Sequence, residues 1–221
     1  MTHKRFGKIK RLTIAEMRIR DGFLSKFLNF IPRRIKPNYI TACRVLLSGA
    51  LFFPETVGPK MAFFILMIGA LGDPIDGILA RNRNQITGFG KIFDALADKI
   101  LAVGALWYLF YHKIIESKLV LHVVLPEIPL LFYGAWFLFD RKIKIPQSNI
   151  LGRIKFASYV LGFLALIASS FGGHSFFLHG FGVRMIMAGI VFAWMSQIFY
   201  AHDFIEDMRE RKKNNLSKII K

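Results

Sequence analysis

Cysteine and acidic residues are both scarce in this chain of 221 residues. The single cysteine, Cys43, excludes a disulfide framework and a cysteine-based zinc site. Its apolar surroundings predict a small buried side chain. Only 14 acidic residues oppose 31 lysines and arginines, so the formal net charge is +17. The first 37 residues contain no apolar core before a cleavage site, so we expect no cleaved signal peptide.

Apolar residues, by contrast, are abundant, since 54% of the chain is hydrophobic and 14% is aromatic. Together with the high positive charge, this composition is unusual for a soluble domain and typical of a membrane protein with basic aqueous flanks. A nucleic-acid-binding domain would explain the charge but not the apolar content. We therefore expect membrane lipid, and no nucleic acid, around this protein.

Six apolar stretches predict an all-α integral membrane protein, a bundle of six transmembrane helices. Each stretch is near the roughly 20 residues that cross a bilayer, and they run over 38–57, 61–82, 90–112, 118–139, 154–172 and 182–203. Pro126 and Pro129 predict a kink in the fourth span. Basic residues concentrate before the first span, in the turns 82–89 and 140–153, and in the tail. The positive-inside rule therefore places both termini in the cytoplasm.

The chain thus divides into a membrane domain over 38–203, a basic cytoplasmic segment over 1–37 and a basic cytoplasmic tail over 204–221. In the first segment, apolar residues recur at helical spacing among basic ones, at Phe23, Leu24, Phe27, Leu28 and Ile31. This pattern predicts an amphipathic helix lying in the membrane interface. The alternative is a soluble helix packed on the cytoplasmic face.

Four aspartates lie inside otherwise apolar spans: Asp73, Asp76, Asp94 and Asp98. A charged aspartate at the centre of a membrane helix costs about 2.5–3.5 kcal/mol, so four of them need compensation from cations, water or one another. The spacings i, i+3 and i, i+4 place each pair on one helix face. Asp76 and Asp94 are equidistant from residue 85, and Asp73 and Asp98 from the point between 85 and 86. A helical hairpin centred there would bring all four carboxylates together.

Divalent metal ions would relieve the repulsion among these carboxylates. Hard oxygen ligands without nearby His or Cys suit Mg²⁺, Mn²⁺ or Ca²⁺. Four carboxylates can hold two ions, and two ions suit phosphoryl chemistry because they clamp phosphate oxygens. The alternatives are a proton or cation pathway, or neutral aspartates hydrogen-bonded between helices. His174 and His179 are expected in a loop on the opposite side of the membrane, so neither is a predicted ligand.

The aspartates form part of a longer pattern that resembles the signature of the CDP-alcohol phosphotransferase family. That signature is D-x-x-D-G-x-x-A-R, eight residues, then G-x-x-x-D-x-x-x-D. Every fixed position matches, at Asp73, Asp76, Gly77, Ala80, Arg81, Gly90, Asp94 and Asp98. The resemblance implies a six-helix membrane bundle, usually a homodimer, with a cytoplasmic active site.

The resemblance also implies a role for each position. Asp73, Asp76 and Asp94 would ligate two Mg²⁺ or Mn²⁺ ions, and Asp98 would be the general base and also contact a metal. The nucleotide and diphosphate of a CDP-diacylglycerol donor would lie against Gly77, Ala80, Arg81 and Gly90. The stretch P-N-x-x-T-x-x-R over 37–44 would add Asn38 and Thr41 to that pocket. Alternatively, these two side chains form hydrogen bonds with the unpaired backbone groups in the first turn of a helix that begins at Pro37.

Two further stretches concern the acceptor. Residues 90–99 are similar to the G-K-x-x-D-P-x-A-D-K form of phosphatidylglycerophosphate and cardiolipin synthases, with Ala95 in place of proline. Residues 148–156 resemble S-x-x-G-K-x-K-T, with Arg153 and Phe156 in place of lysine and threonine. Arg153 and Lys155 are therefore predicted either to bind an acceptor phosphate or to snorkel at the membrane surface.

The implied reaction moves the phosphatidyl group of CDP-diacylglycerol to a small phosphorylated alcohol and releases CMP. Glycerol 3-phosphate is the preferred acceptor, which would give phosphatidylglycerophosphate. One alternative is a cardiolipin synthase that uses phosphatidylglycerol as acceptor. The other, from a different class, is a cation transporter with an intramembrane aspartate cluster.

Overall fold

The computed structural model describes residues 37–82, 88–129, 132, 150–171 and 175–219. Within this part of the chain every regular element is helical. The α-helices are α1 (Pro37–Gly49), α2 (Pro59–Asn82), α3 (Gly88–Tyr111), α4 (Ser117–Val124), α5 (Ile150–Ala168) and α6 (Phe176–Ile219). Short 3₁₀ turns follow α1 at Ala50–Phe52 and α4 at Leu125–Glu127. The predicted amphipathic helix in 1–37 and the turn 140–149 lie outside the described residues.

The described helices follow the order of the predicted spans, but several ends differ. The first helical stretch ends at Phe52 rather than at 57, because Pro54 and Gly58 lie in the connection to α2. α6 begins at Phe176 and continues to Ile219, so the predicted tail is helical over 204–219. His179 therefore lies in a helix, and its prediction as a loop residue was wrong. Pro126 lies inside the 3₁₀ turn that ends α4, which confirms an interruption of the fourth predicted span.

Helices α1, α2 and α3 pack against one another with α2 antiparallel to the other two. Leu101 of α3 lies against Gly69 of α2. The connection before α2 lies beside the end of α3, where the Tyr111 hydroxyl donates to Glu55 at 2.8 Å. The common core is apolar and includes Leu51, Leu66, Leu101, Tyr108 and Leu109.

Helices α5 and α6 form a second closely packed pair, which also contacts α2 through α5. A Cβ atom added to Gly162 of α5 would lie 2.9 Å from the carbonyl oxygen of Gly182 on α6, and a Cβ on Gly182 would lie equally close to the Gly162 carbonyl. The two backbones approach this closely only because neither residue carries a side chain.

Polar side chains face inward and apolar ones outward on α1. Thr41, Arg44 and Ser48 are buried, whereas Leu46 is 76% exposed. Cys43 is exposed too, so the prediction that it is buried was wrong: it lies on the outward face of α1, away from the polar face that packs inward. This distribution is the reverse of that in a soluble helical bundle and suits a helix surrounded by lipid.

By length and apolarity, two described helical segments qualify as candidate membrane spans, Ile150–Ala168 and Phe176–Glu206. Tyr39–Phe52 and Pro59–Gly72 are apolar helical segments too short for that criterion. The helix α2 continues beyond Gly72 to Asn82 through the aspartate-containing stretch, which lowers its apolarity. These features are consistent with a membrane protein, and the number of six spans stays a prediction.

Candidate active site

Two of the four aspartates predicted to bind metal are held by polar side chains of α1. The Thr41 hydroxyl donates to Asp94 Oδ1 at 3.1 Å, and Arg44 Nη2 donates to Asp98 Oδ1 at 2.7 Å. Thr41 and Arg44 are one helical turn apart on α1, as Asp94 and Asp98 are on α3. Because α1 and α3 run parallel, the two pairs meet in register.

Arg44 is the central residue of this arrangement. Its side chain is 3% exposed, and its Nε donates to the carbonyl oxygen of Gly69 on α2 at 2.9 Å. A Cβ atom at Gly72 would lie 2.5 Å from Arg44 Cδ, so a residue without a side chain is needed where the arginine crosses α2. One buried cation thus links α1, α2 and α3 and compensates the charge of Asp98 inside an apolar bundle.

Arg44 is the last residue of the P-N-x-x-T-x-x-R stretch and was not among the predicted site residues. The available signal was a lone arginine in an otherwise apolar span. Such a residue requires an anionic partner, and the aspartates inside the apolar spans were candidates for that partner. For Thr41, the observed contact is with a site carboxylate of another helix, and its predicted contact with a nucleotide stays a prediction.

The register of α2 against α3 agrees with the predicted hairpin. Both helices have 24 residues, and Gly69 and Leu101, which are in contact, each lie 16 residues from residue 85. The sequence analysis placed Asp76 and Asp94 symmetrically about the same residue. The side chains of Asp73 and Asp76 lie outside the described part of the structure, so the convergence of all four carboxylates stays a prediction.

The other predicted nucleotide residues lie on these same helices, namely Asn38 on α1, Gly77, Ala80 and Arg81 on α2, and Gly90 on α3. The surroundings of these five residues lie outside the described part of the structure, so their roles stay predictions.

A second polar cluster joins α3, the turn after α4, and α5. Glu127 Oε1 accepts from Lys155 Nζ at 2.6 Å, and Glu127 Oε2 accepts from Lys99 Nζ. Lys155 is one of the two predicted acceptor-phosphate residues, and Lys99 directly follows Asp98. The sequence analysis missed Glu127, because the acidic residue on its own gives no indication of which helices its turn contacts.

The described cavity lies far from the aspartates, past the carboxyl end of α3. Its volume is about 650 Å³, and its walls include Lys113, Leu119, His122, Val183 and Met187. His179 also borders it, within 3.1 Å of the Ile114 carbonyl oxygen. Asp94 and Asp98 lie in the amino-terminal half of α3, so this cavity does not form part of the candidate site.

Comparison with known proteins bears directly on this arrangement. The family model described as CDP-alcohol phosphatidyltransferase matches residues 34–199, which is most of the chain. The chain belongs to the CDP-alcohol phosphatidyltransferase family. This is the family that the aspartate signature predicted, and it is a family of transferases, so the predicted enzyme class is confirmed. Membership favours an enzyme over a cation transporter.

Several curated members of the family resemble this chain. A CDP-diacylglycerol–glycerol-3-phosphate 3-phosphatidyltransferase of Aquifex aeolicus is 34% identical over 119 residues, covering 53% of this chain and 66% of the relative, a little under two thirds. A protein of the same name from Rickettsia felis is 27% identical over 146 residues, covering 64% and 80%. A CMP-forming cardiolipin synthase of Streptomyces coelicolor is 28% identical over 174 residues, covering 74% and 80%.

The described carboxylates are chemically suited to the divalent metals used in this CDP-alcohol phosphatidyltransferase family. Asp94 and Asp98 present hard oxygen donors one turn apart, and Thr41 and Arg44 fix both of them from α1. No group of three or more His, Cys, Asp or Glu side chains comes together among those the structure describes. The signature predicts that Asp73 and Asp76 complete the metal site, and this stays a prediction.

Proposed function

We propose that this protein transfers the phosphatidyl group of CDP-diacylglycerol to glycerol 3-phosphate, forming phosphatidylglycerophosphate and releasing CMP. The observation that carries the proposal is the pairing of Asp94 and Asp98 with Thr41 and Arg44 at the centre of a chain that matches the family model. The names of the Aquifex and Rickettsia relatives support glycerol 3-phosphate as acceptor.

Asp98 is the proposed general base. It takes the proton of the acceptor hydroxyl while the acceptor oxygen bonds to the phosphorus that carries diacylglycerol. The bond from that phosphorus to the bridging oxygen breaks, and CMP leaves with the electron pair. Arg44 holds Asp98 from the side of α1 and α2, so the carboxylate is oriented before substrate binds. Arg81 steadies the donor diphosphate, with Gly77, Ala80 and Gly90 leaving room for the nucleotide.

Two Mg²⁺ or Mn²⁺ ions, held by Asp73, Asp76, Asp94 and Asp98, would supply charge neutralisation on the diphosphate oxygens. The residues that hold them lie on two helices whose register is fixed by the Gly69–Leu101 contact. Asn38 and Thr41 border the nucleotide side of this site, and Arg153 and Lys155 provide positive charge for the acceptor phosphate.

The proposed setting is a six-span bundle with its active site and both termini on the cytoplasmic side, working as a homodimer. The inward polar face of α1 and the candidate spans in α5 and α6 support membrane embedding. The positive-inside pattern supports the orientation. A site near the cytoplasmic surface of the membrane admits a donor with acyl tails from the bilayer and a water-soluble acceptor from the cytoplasm.

The Streptomyces relative favours a second candidate, a cardiolipin synthase with phosphatidylglycerol as acceptor. An acceptor panel separates the two. Purified protein receives CDP-diacylglycerol, Mg²⁺ or Mn²⁺, and one acceptor at a time, with the Asp98→Asn variant as the matched control. We expect CMP release with glycerol 3-phosphate and phosphatidylglycerophosphate as the lipid product. Cardiolipin formation would select the second candidate, and an absence of CMP release with every acceptor would overturn the enzyme proposal.

A further inference from the structure

Glu127 bridges two lysines from different helices and so fixes both ammonium groups. Its two carboxylate oxygens accept separately, Oε1 from Lys155 on α5 and Oε2 from Lys99 on α3. The side chains of Lys155 and Glu127 are only 14% and 18% exposed, whereas that of Lys99 is 40% exposed. A lysine as enclosed as Lys155 requires a close anionic partner.

The backbone around Glu127 is fixed as well. Pro126 lies within the 3₁₀ turn Leu125–Glu127, where its ring restricts the backbone. Its carbonyl oxygen accepts a buried hydrogen bond of 2.7 Å from Gln197 Nε2 on α6. The glutamate is therefore anchored by α6 through the turn and holds α3 and α5 through its carboxylate.

The cluster has one positive charge in excess, since two lysines share one carboxylate. Lys99 directly follows Asp98, and Lys155 belongs to the stretch predicted to bind the acceptor phosphate. Without the carboxylate, two ammonium groups from separate helices would repel each other and move apart. With it, the excess positive charge is held at one place between α3 and α5, and Lys99 ties that place to the residue that directly follows the proposed general base.

We propose that Glu127 is a positioning residue for the acceptor: it holds Lys155 and Lys99 so that their ammonium groups receive the acceptor's phosphate next to Asp98. This inference rests on the proposed function. Glu127 does not contact the acceptor itself and acts through the two lysines. The bridge stays in place when the phosphate binds, because each ammonium group has three donors and only one is needed for Glu127.

The test is the Glu127→Gln variant, measured with glycerol 3-phosphate and CDP-diacylglycerol in separate titrations. The amide oxygen can accept from one lysine, but the amide nitrogen is a donor and cannot accept from the other. We expect the KM for glycerol 3-phosphate to rise about tenfold or more, the effect of losing one hydrogen bond to a charged group. The KM for CDP-diacylglycerol and kcat should change by less than about threefold.

A mutant cycle in which both lysines are replaced, Lys99→Gln and Lys155→Gln, separates this role from a general structural one. If Glu127 acts through the two lysines, adding Glu127→Gln to that double variant weakens acceptor binding no further. The proposal would be overturned if Glu127→Gln raised the acceptor KM by the same factor with and without the lysines. It would also be overturned if neutralising Glu127 lowered the acceptor KM. Glu55→Gln is the matched control, since it neutralises an exposed glutamate near the far end of α3 and should leave both KM values unchanged.

Should Glu127→Gln not accumulate as folded protein, Glu127→Asp replaces it in the same cycle, because it retains the charge and shortens the reach by one methylene. We then expect a smaller rise in the acceptor KM, again absent in the Lys99→Gln, Lys155→Gln background, and additive effects would again overturn the proposal. Activity of the wild-type protein with glycerol 3-phosphate is measured first. Its absence would reject the proposed function, whereas a kinetic cycle without coupling would reject the positioning role alone.

Discussion

At the scale of single residues, the candidate site depends on how carboxylates are compensated inside an apolar bundle. Arg44 supplies a buried cation to Asp98, and Thr41 supplies a hydroxyl to Asp94. Both partners come from α1, which precedes the aspartate signature in the chain. A carboxylate oriented in this way loses little freedom when substrate binds, and this suits a general base.

Replacing Asp98 with asparagine removes the proposed base and preserves the shape of the side chain. We expect CMP release to fall by at least about 100-fold, within the range that a positioned base contributes. Membrane insertion should be retained, and thermal unfolding in detergent should show a smaller loss of stability than in Arg44→Leu, because the asparagine oxygen still accepts from Arg44. CMP release at the wild-type rate by a folded Asp98→Asn protein would remove the base assignment.

Replacing Arg44 with leucine should destabilise the protein, because Asp98 would lose its buried partner. Breaking one side of such a pair costs on the order of 3–5 kcal/mol. The Arg44→Leu, Asp98→Asn double variant should recover part of that loss, since the uncompensated charge is gone. Thermal unfolding of the four proteins in one detergent tests this. A double variant less stable than Arg44→Leu would contradict the pairing as the source of the effect.

The residue scale also shows what sequence reasoning can and cannot reach. The spacing of Asp94 and Asp98 fixed their common helix face, and their distances from residue 85 predicted a register that the Gly69–Leu101 contact matches. Arg44 and Glu127 were not assigned to the site. Their partners are 54 and 28 residues away along the chain, and helical periodicity carries no information about contacts between helices.

At the scale of helices, glycines determine where backbones meet, and sequence alone does not distinguish these positions from other glycines. Gly162 and Gly182 allow α5 and α6 into backbone contact, and Gly72 makes room for Arg44. Gly49, at the end of α1, has nothing within 4 Å of the position of an added Cβ atom. Helix ends were predictable only to within several residues, because apolar residues such as Phe53 and Val57 continue past the last helical turn.

Two glycine-to-alanine substitutions test this packing. Gly162→Ala would place a methyl group 2.9 Å from the Gly182 carbonyl oxygen and 2.7 Å from Ile186 Cγ1, so α5 and α6 must move apart. We expect a loss of about 1–3 kcal/mol, as for overpacking in other cores. Gly49→Ala is the control and should change stability by less than about 0.5 kcal/mol. Equal unfolding temperatures for the two variants would contradict the close α5–α6 contact.

At the scale of the whole molecule, buried polar side chains occur together with many large apolar side chains at the surface, which is unusual for a soluble bundle. The buried set includes Thr41, Arg44, Ser48, Ser196 and Gln197, while many large apolar side chains, such as Leu46, Phe177 and Ile198, are exposed. Composition and charge predicted a membrane protein because the bilayer requires apolar residues in the spans and its surface favours basic residues in the flanks. The pairing of helices could not be predicted in the same way. A membrane span is apolar both where it faces lipid and where it packs on another helix, so apolarity does not reveal which face is in contact.

The predicted orientation can be tested with thiol labelling, after the exposed native thiol is removed by Cys43→Ala. Glu116→Cys then places a thiol in the connection between α3 and α4, and Met208→Cys places one on α6 beyond the candidate span. Both native side chains are exposed. With six spans and cytoplasmic termini, an impermeant maleimide should label Glu116→Cys in right-side-out vesicles and Met208→Cys in inside-out vesicles.

Three predicted spans separate the two positions, so they should lie on opposite sides of the membrane. An even number of spans between them would place both on the same side. Labelling of both thiols in the same type of vesicle would therefore exclude the six-span topology. Labelling of Glu116→Cys in inside-out vesicles and of Met208→Cys in right-side-out vesicles would show that the orientation in the membrane is inverted. The inverted case carries a further consequence, because the carboxylates near the amino end of α3 would then face away from cytoplasmic glycerol 3-phosphate. The acceptor proposal and the orientation thus depend on the same lysine and arginine asymmetry.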